Sequence, residues 1–118
     1  MAEMKRPVIL TDQELAVAQA MARDLAPDVD RNELGKVVDY FRRVRSKKKF
    51  FQLLENLPHS GYVRSKRTGG YLHRINQVCR KHLQDISDDE RALAIVSWSF
   101  RLMTYYQTLK GQRYARNR

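Results

Sequence analysis

Acidic residues are scarce in the 118-residue chain: 13 Asp and Glu stand against 23 Lys and Arg, giving a formal net charge of +10. A single cysteine, Cys79, excludes an intramolecular disulfide and fits a reducing compartment such as the cytosol. With two ligands at most, the Cys79-x-x-His82 pair is half of what a structural zinc site needs, and His59 and His73 are the only other histidines. Cys79 therefore reads as a small core residue, His82 as a helix-end cation or packing residue, and no metal or cofactor is expected. No apolar run of about 18 residues exists, so no membrane span is expected, and MAEMKRPVIL lacks the pattern of a signal peptide. No Walker-type phosphate loop appears, and the acidic residues gather where helix capping explains them. His59, in a basic stretch without a carboxylate nearby, is the one candidate for acid–base work on RNA. On balance, the residues argue against an enzyme.

The cations have an address. Between Arg42 and Lys81 lie Arg42, Arg43, Arg45, Lys47, Lys48, Lys49, Arg64, Lys66, Arg67, Arg74, Arg80 and Lys81, against one carboxylate, Glu55. Phe50, Phe51, Leu53, Leu54, Tyr62, Tyr71 and Leu72 interleave with them. The segment has enough apolar material to fold while concentrating positive charge, and such a surface faces a polyanion.

Periodicity predicts five helices in one all-α bundle, a single domain over 1–118 with a lead-in at 1–10 and a basic tail at 111–118. Thr11 caps the first helix, which Pro27 stops near Ala26. Asp28 or Asp30 caps the second, with Leu34, Val37, Val38, Phe41 and Val44 as its stripe; Gly35 weakens it and permits a close helix approach. Arg42, Arg45 and Lys49 continue its outer side as a ridge, with Ser46 ending or interrupting it. A short helix near Lys47 to Asn56 would bury Phe50, Leu53, Leu54 and Leu57.

Residues 58–70, PHSGYVRSKRTGG, read as the one evident loop, basic through Arg64, Lys66 and Arg67. Thr68 would cap the fourth helix, with Leu72, Ile75, Val78, Cys79 and His82 inward and Arg74, Gln77 and Lys81 outward. Ser87 or Asp88 caps a long fifth helix of about 22 residues, ended by Gly111. There Trp98, Phe100 and Tyr105 widen the apolar stripe, so more than one side is expected to pack.

Arg42, Arg45 and Lys49 thus form one expected ridge, Arg74 and Lys81 a second, and Arg64, Lys66 and Arg67 a loop able to close over a strand. Ser60, Ser65, Thr68 and loop amides would add phosphate hydrogen bonds. No helix-turn-helix or base-stacking sheet is evident, so phosphate-dominated, sequence-independent contact is the simpler reading.

Small basic helical bundles of this kind resemble the small subunits of CRISPR effector complexes. Over about residues 32–106, NELGKVVDYFRRVRSKKKFFQLLENLP, RTGGYLHRINQVCRKHL and ALAIVSWSFRLMTYY resemble the C-terminal helical domain of the large subunit of type I-D complexes. In that system internal translation of the large-subunit gene makes the small subunit separately. The resemblance implies an antiviral, cytoplasmic Cascade small subunit, present in several copies along the complex. Its partners would be the other effector subunits, copies of itself in a filament, target or displaced DNA strand and guide RNA. Base pairing by the guide would supply specificity. The residues leave other classes open: a free-standing basic nucleic-acid-binding protein, a module docking an acidic protein, or a small ribonuclease.

Overall fold

Local chemistry starts each helix. In the computed structural model, which describes residues 9–61 and 65–116 (side chains only as far as residue 108), Thr11 and Glu14 form a capping box at the start of α1, Asp12–Leu25. The hydroxyl accepts from the Glu14 amide while the Glu14 carboxylate accepts from the Thr11 amide, satisfying two otherwise orphaned donors. Asp30 caps α2, Arg31–Val44, by accepting from the Asn32 amide at 2.6 Å. Arg45 ends α2 in the left-handed region, at φ 52°, and Ser46 restarts the chain as the N-cap of α3, Lys47–Asn56. The expected Arg42–Arg45–Lys49 ridge therefore does not run along one helix: the turn at Arg45 and Ser46 breaks it. A 3-10 turn over Leu57–His59 takes in Pro58.

Two expected boundaries are corrected. The fourth helix, α4, spans Lys66–Leu83 and is capped by Ser65 rather than Thr68. Ser65 is extended, at φ −87° and ψ 129°, and its hydroxyl accepts from the Thr68 amide, the position three residues on that an N-cap serves. Lys66, Arg67, Gly69 and Gly70 are consequently helical rather than part of a loop over 58–70. The fifth helix, α5, spans Asp89–Arg116, with Asp88 accepting from the Arg91 amide at 2.9 Å. It passes through Gly111, whose cost of about 1 kcal/mol is small beside the cooperativity of a long helix. The helix therefore does not end at Gly111, and of the expected tail 111–118 the stretch as far as Arg116 is helical.

All elements among the described residues are helical. Helix α5 packs on both α1 and α2, α4 packs on α1 and α3, and α2 closes the bundle against α3. Helices α1 and α5 run parallel: Arg91 joins Glu14 near their starts, and Gln107 donates to the carbonyls of Ala26 and Val29 at the far end. Helices α3 and α4 run antiparallel, since Lys47 reaches the carbonyl of Leu83 while Glu55 pairs with Arg80. The core takes Met21 and Leu25 from α1, Phe41 from α2, Phe50 from α3, Ile75 from α4 and Ile95 from α5. Phe41 and Phe50 stack with centroids 4.4 Å apart, so the aromatic contact spans the α2–α3 turn. Leu53 and Leu57, expected inside, are only half-buried.

At Gly35 the expected close approach is present. A β-carbon there would lie 3.2 Å from Cζ of Phe100, so the missing side chain is what lets the α5 ring lie against α2. Phe100 accordingly packs as expected, but Trp98 and Tyr105 do not: they are 38% and 57% exposed. Their positions face away from the side of α5 that carries Ile95, Ser99 and Met103, and no neighbouring helix covers them.

Candidate nucleic-acid interface

The basic run Arg42-Arg43-Val44-Arg45-Ser46-Lys47-Lys48-Lys49 divides into two groups with opposite tasks. Arg45 and Lys47 turn inward. The Arg45 guanidinium donates to both oxygens of Glu90 at 3.0 and 3.1 Å, fastening the end of α2 to the start of α5. Lys47 donates from Nζ to the carbonyls of Leu83 at 2.7 Å and Ile86 at 2.6 Å, and its amide donates to Asp89 at 2.9 Å. A cation on the last carbonyl of α4 and on the Ile86 carbonyl just beyond it meets the negative end of the helix dipole.

Arg43, Lys48 and Lys49 turn outward. All three are exposed, and no described carboxylate lies within 4.0 Å of them. Arg43 rests over the Tyr40 ring at 6.0 Å. Arg42, also exposed, shares its charge with Asp39 at 3.1 Å within the same helix. This corner between α2 and α3 is the densest set of available cations that the described residues offer.

A second set lies at the other end of the α3–α4 pair. Lys66 and Arg67 occupy the first turn of α4, exposed and without a described carboxylate partner. That turn contains no acidic residue. Like charge at the positive end of a helix dipole costs stability, and a bound anion would relieve it. The length of α4 separates the two sets by about 25 Å, at 1.5 Å per residue. Arg64, the third member of the expected loop cluster, lies outside the described residues, as does Tyr62.

The Arg74 and Lys81 ridge has a different setting. Both border a groove between α1 and α4, of about 350 Å³, together with Asp24 and Gln77. Arg74 is half-buried, with Nε 3.6 Å from Asp28 and Nη2 donating to the Asp24 carbonyl at 3.4 Å. Lys81 Nζ stands 4.0 Å from the Asp24 carboxylate, which His82 Nε2 approaches at 2.8 Å. The hydrogen bond from His82, with the charges of Lys81 and Arg74, holds the Asp24 carboxyl below its ordinary pKa. Arg74 is thus partly answered from within the chain, while Lys81 stays exposed at the edge of the Asp24 contact, and the sequence shows no sign of either because Asp24 and Asp28 lie some fifty residues away.

The remaining candidates for chemistry separate. Burial pushes the Cys79 thiol up to about 12, while His82 is occupied with Asp24, so the two do not act as a pair. His59 is exposed at the end of the 3-10 turn, and among the described residues no group of three or more His, Cys, Asp or Glu converges. Also among the described residues, no helix is long and apolar enough to cross a membrane. No known protein family, curated protein or solved structure matches the chain.

Proposed function

We propose that this chain is a non-catalytic helical module that holds nucleic acid through phosphate contacts. Its outward cations Arg43, Lys48, Lys49, Lys66 and Arg67 are the principal contacts in this proposal; Arg42 and Lys81 support them, and the half-buried Arg74 stands in reserve beside Asp28. The observation that carries the reading is the division of the Arg42–Lys49 run: Arg45 and Lys47 are engaged by the fold, while Arg43, Lys48 and Lys49 are exposed with no carboxylate partner among the described residues. Natural surfaces intersperse both signs, and the carboxylates at this corner, Asp39, Glu90 and Asp89, are engaged by Arg42, Arg45 and Lys47. The resemblance over about residues 32–106 makes the specific form of the proposal a cytoplasmic small subunit of a CRISPR RNA-guided complex. In that role the cations hold the backbone of the target or displaced DNA strand while the guide reads sequence.

Binding of the purified chain to single-stranded DNA, duplex DNA and RNA across a salt series tests the proposal. The log–log slope against salt is expected to correspond to several neutralised phosphates, with little sequence preference. The variant carrying Lys48→Glu, Lys49→Glu, Lys66→Glu and Arg67→Glu is expected to lose binding with its helicity intact. Binding that strengthens when other effector subunits are added supports the assembly role, since many weak contacts multiply along a filament. Binding unchanged by the four reversals overturns the interface. A preference for an acidic protein over any nucleic acid at physiological salt replaces the proposal with a docking module.

A further inference from the structure

The long helix α5 carries a second surface that the phosphate contacts leave unused. Trp98 and Tyr105, 38% and 57% exposed, are seven residues apart and so lie on one side of α5, about 10 Å apart along its axis. Arg101 sits between them, its guanidinium 5.4 Å from the centre of the Trp98 ring. Tyr105 is 5.8 Å from Tyr106, and Arg23 of α1 lies 5.9 Å over the Tyr106 ring. Arg101 with Trp98, and Tyr105 with Tyr106 and Arg23, thus make a strip of cations and rings along α5. Neither Arg23 nor Arg101 has a described carboxylate within 4.0 Å, and the chain carries no carboxylate from Arg91 to Arg118.

We infer that this strip is a stacking platform for the unpaired bases of a single-stranded nucleic acid, with Trp98 and Tyr105 as the rings and Arg101 and Arg23 as the cations beside them. Large exposed rings are an expense in a monomer, and the charge around them complements a polyanion. Single-strand binders combine those two features: rings accept any base by its π-face, and arginines add cation–π and phosphate attraction. A spacing of about 10 Å exceeds the roughly 3.4 Å between stacked neighbours, so the two rings take bases that are not adjacent in a stack. In a duplex the bases already stack on one another, so the platform confers a preference for single strands that phosphate contacts alone do not. The inference rests on the nucleic-acid reading of the chain and adds the part of the ligand that the second surface recognises.

Trp98 is the only tryptophan, so emission excited to the red of tyrosine absorption reports on this site alone. The full chain is titrated with a labelled oligothymidylate, an abasic oligonucleotide of equal phosphate count and a duplex, following tryptophan emission and label anisotropy together. Oligothymidylate is expected to change Trp98 emission and to bind more tightly than the other two. Trp98→Ala and Tyr105→Ala are each expected to weaken its binding about tenfold, with Trp98→Phe retaining most of it. Circular dichroism confirms folding, and the unmodified chain's emission gives the answer even where a variant fails to fold. If anisotropy reports binding, Trp98 emission stays constant and the abasic strand binds equally well, the platform is overturned and the phosphate interface stands. If no oligonucleotide binds, both fall. If Trp98 emission changes with protein concentration alone, the strip is covered by another copy of the chain and the inference is wrong.

Discussion

Glu14 serves the starts of two helices at once. It closes the α1 capping box and accepts from Nε of Arg91 at 2.7 Å, and the Arg91 guanidinium also donates to the Ile9 carbonyl. The Arg91 hydrogen bond, with the Thr11 amide, lowers the Glu14 pKa from 4.5 to about 2. A carboxylate whose pKa is lower in the folded state stabilises the fold fully above its unfolded value and ceases to do so as pH falls through the folded one. Stability is therefore expected to drop between about pH 4.5 and 2 in urea titrations, by on the order of 1 kcal/mol, since a partly exposed pair keeps only part of the shift. Glu14→Gln should remove that acid dependence and cost about 1 kcal/mol at neutral pH. Cys79 offers a simpler check. Its thiol, buried and raised to about 12, should resist alkylation in the native protein and react only once denaturant opens the core.

Within the elements, adjacent lysines carry separable duties. Lys47→Ala removes the cation from the Leu83 and Ile86 carbonyls and is expected to cost about 1–3 kcal/mol in thermal or urea unfolding, with nucleic-acid binding little changed. Lys48→Ala with Lys49→Ala should do the reverse, leaving stability within about 0.5 kcal/mol and reducing the salt slope by about two. Equal effects of Lys47 and Lys48 on both measurements would contradict the division of the basic run. The contact between α2 and α5 makes its own prediction. Gly35→Val places branched carbons where Phe100 already lies, and overpacking should destabilise by about 1–3 kcal/mol.

At the scale of the whole molecule, the charge is divided among three settings: an exposed corner between α2 and α3, an exposed first turn on α4, and an α1–α4 groove shared with Asp24 and Asp28. Net charge alone treats these alike. Replacing Lys48 and Lys49 with alanine changes the total by as much as replacing Arg74 and Lys81, yet the first pair should weaken binding more. Comparing the two double variants at one salt concentration separates a defined interface from general attraction to a basic protein.

Much of the architecture was legible from local patterns. The cap at Thr11, the choice narrowed to Asp28 or Asp30 and to Ser87 or Asp88, the α3 limits and the space at Gly35 follow from hydrogen-bonding chemistry and 3.6-residue periodicity, which act over a few residues; the fold takes Asp30 and Asp88. The start of α4 was misread because Ser65 and Thr68 are both competent caps, and three glycines around them imitate a loop. The interface was legible only as a basic region. Which cations stay free depends on carboxylates and carbonyls brought from distant segments, Glu90 to Arg45, Leu83 and Ile86 to Lys47, Asp24 to Lys81. The same holds for Trp98 and Tyr105, whose exposure is decided by where the neighbouring helices end their cover. By itself, then, the sequence determined the helices, their polarity of charge and the region rich in cations, because those arise from near neighbours along the chain. Tertiary packing alone decided which charges and rings face outward, because pairing and burial are set by groups that meet only when the chain is folded.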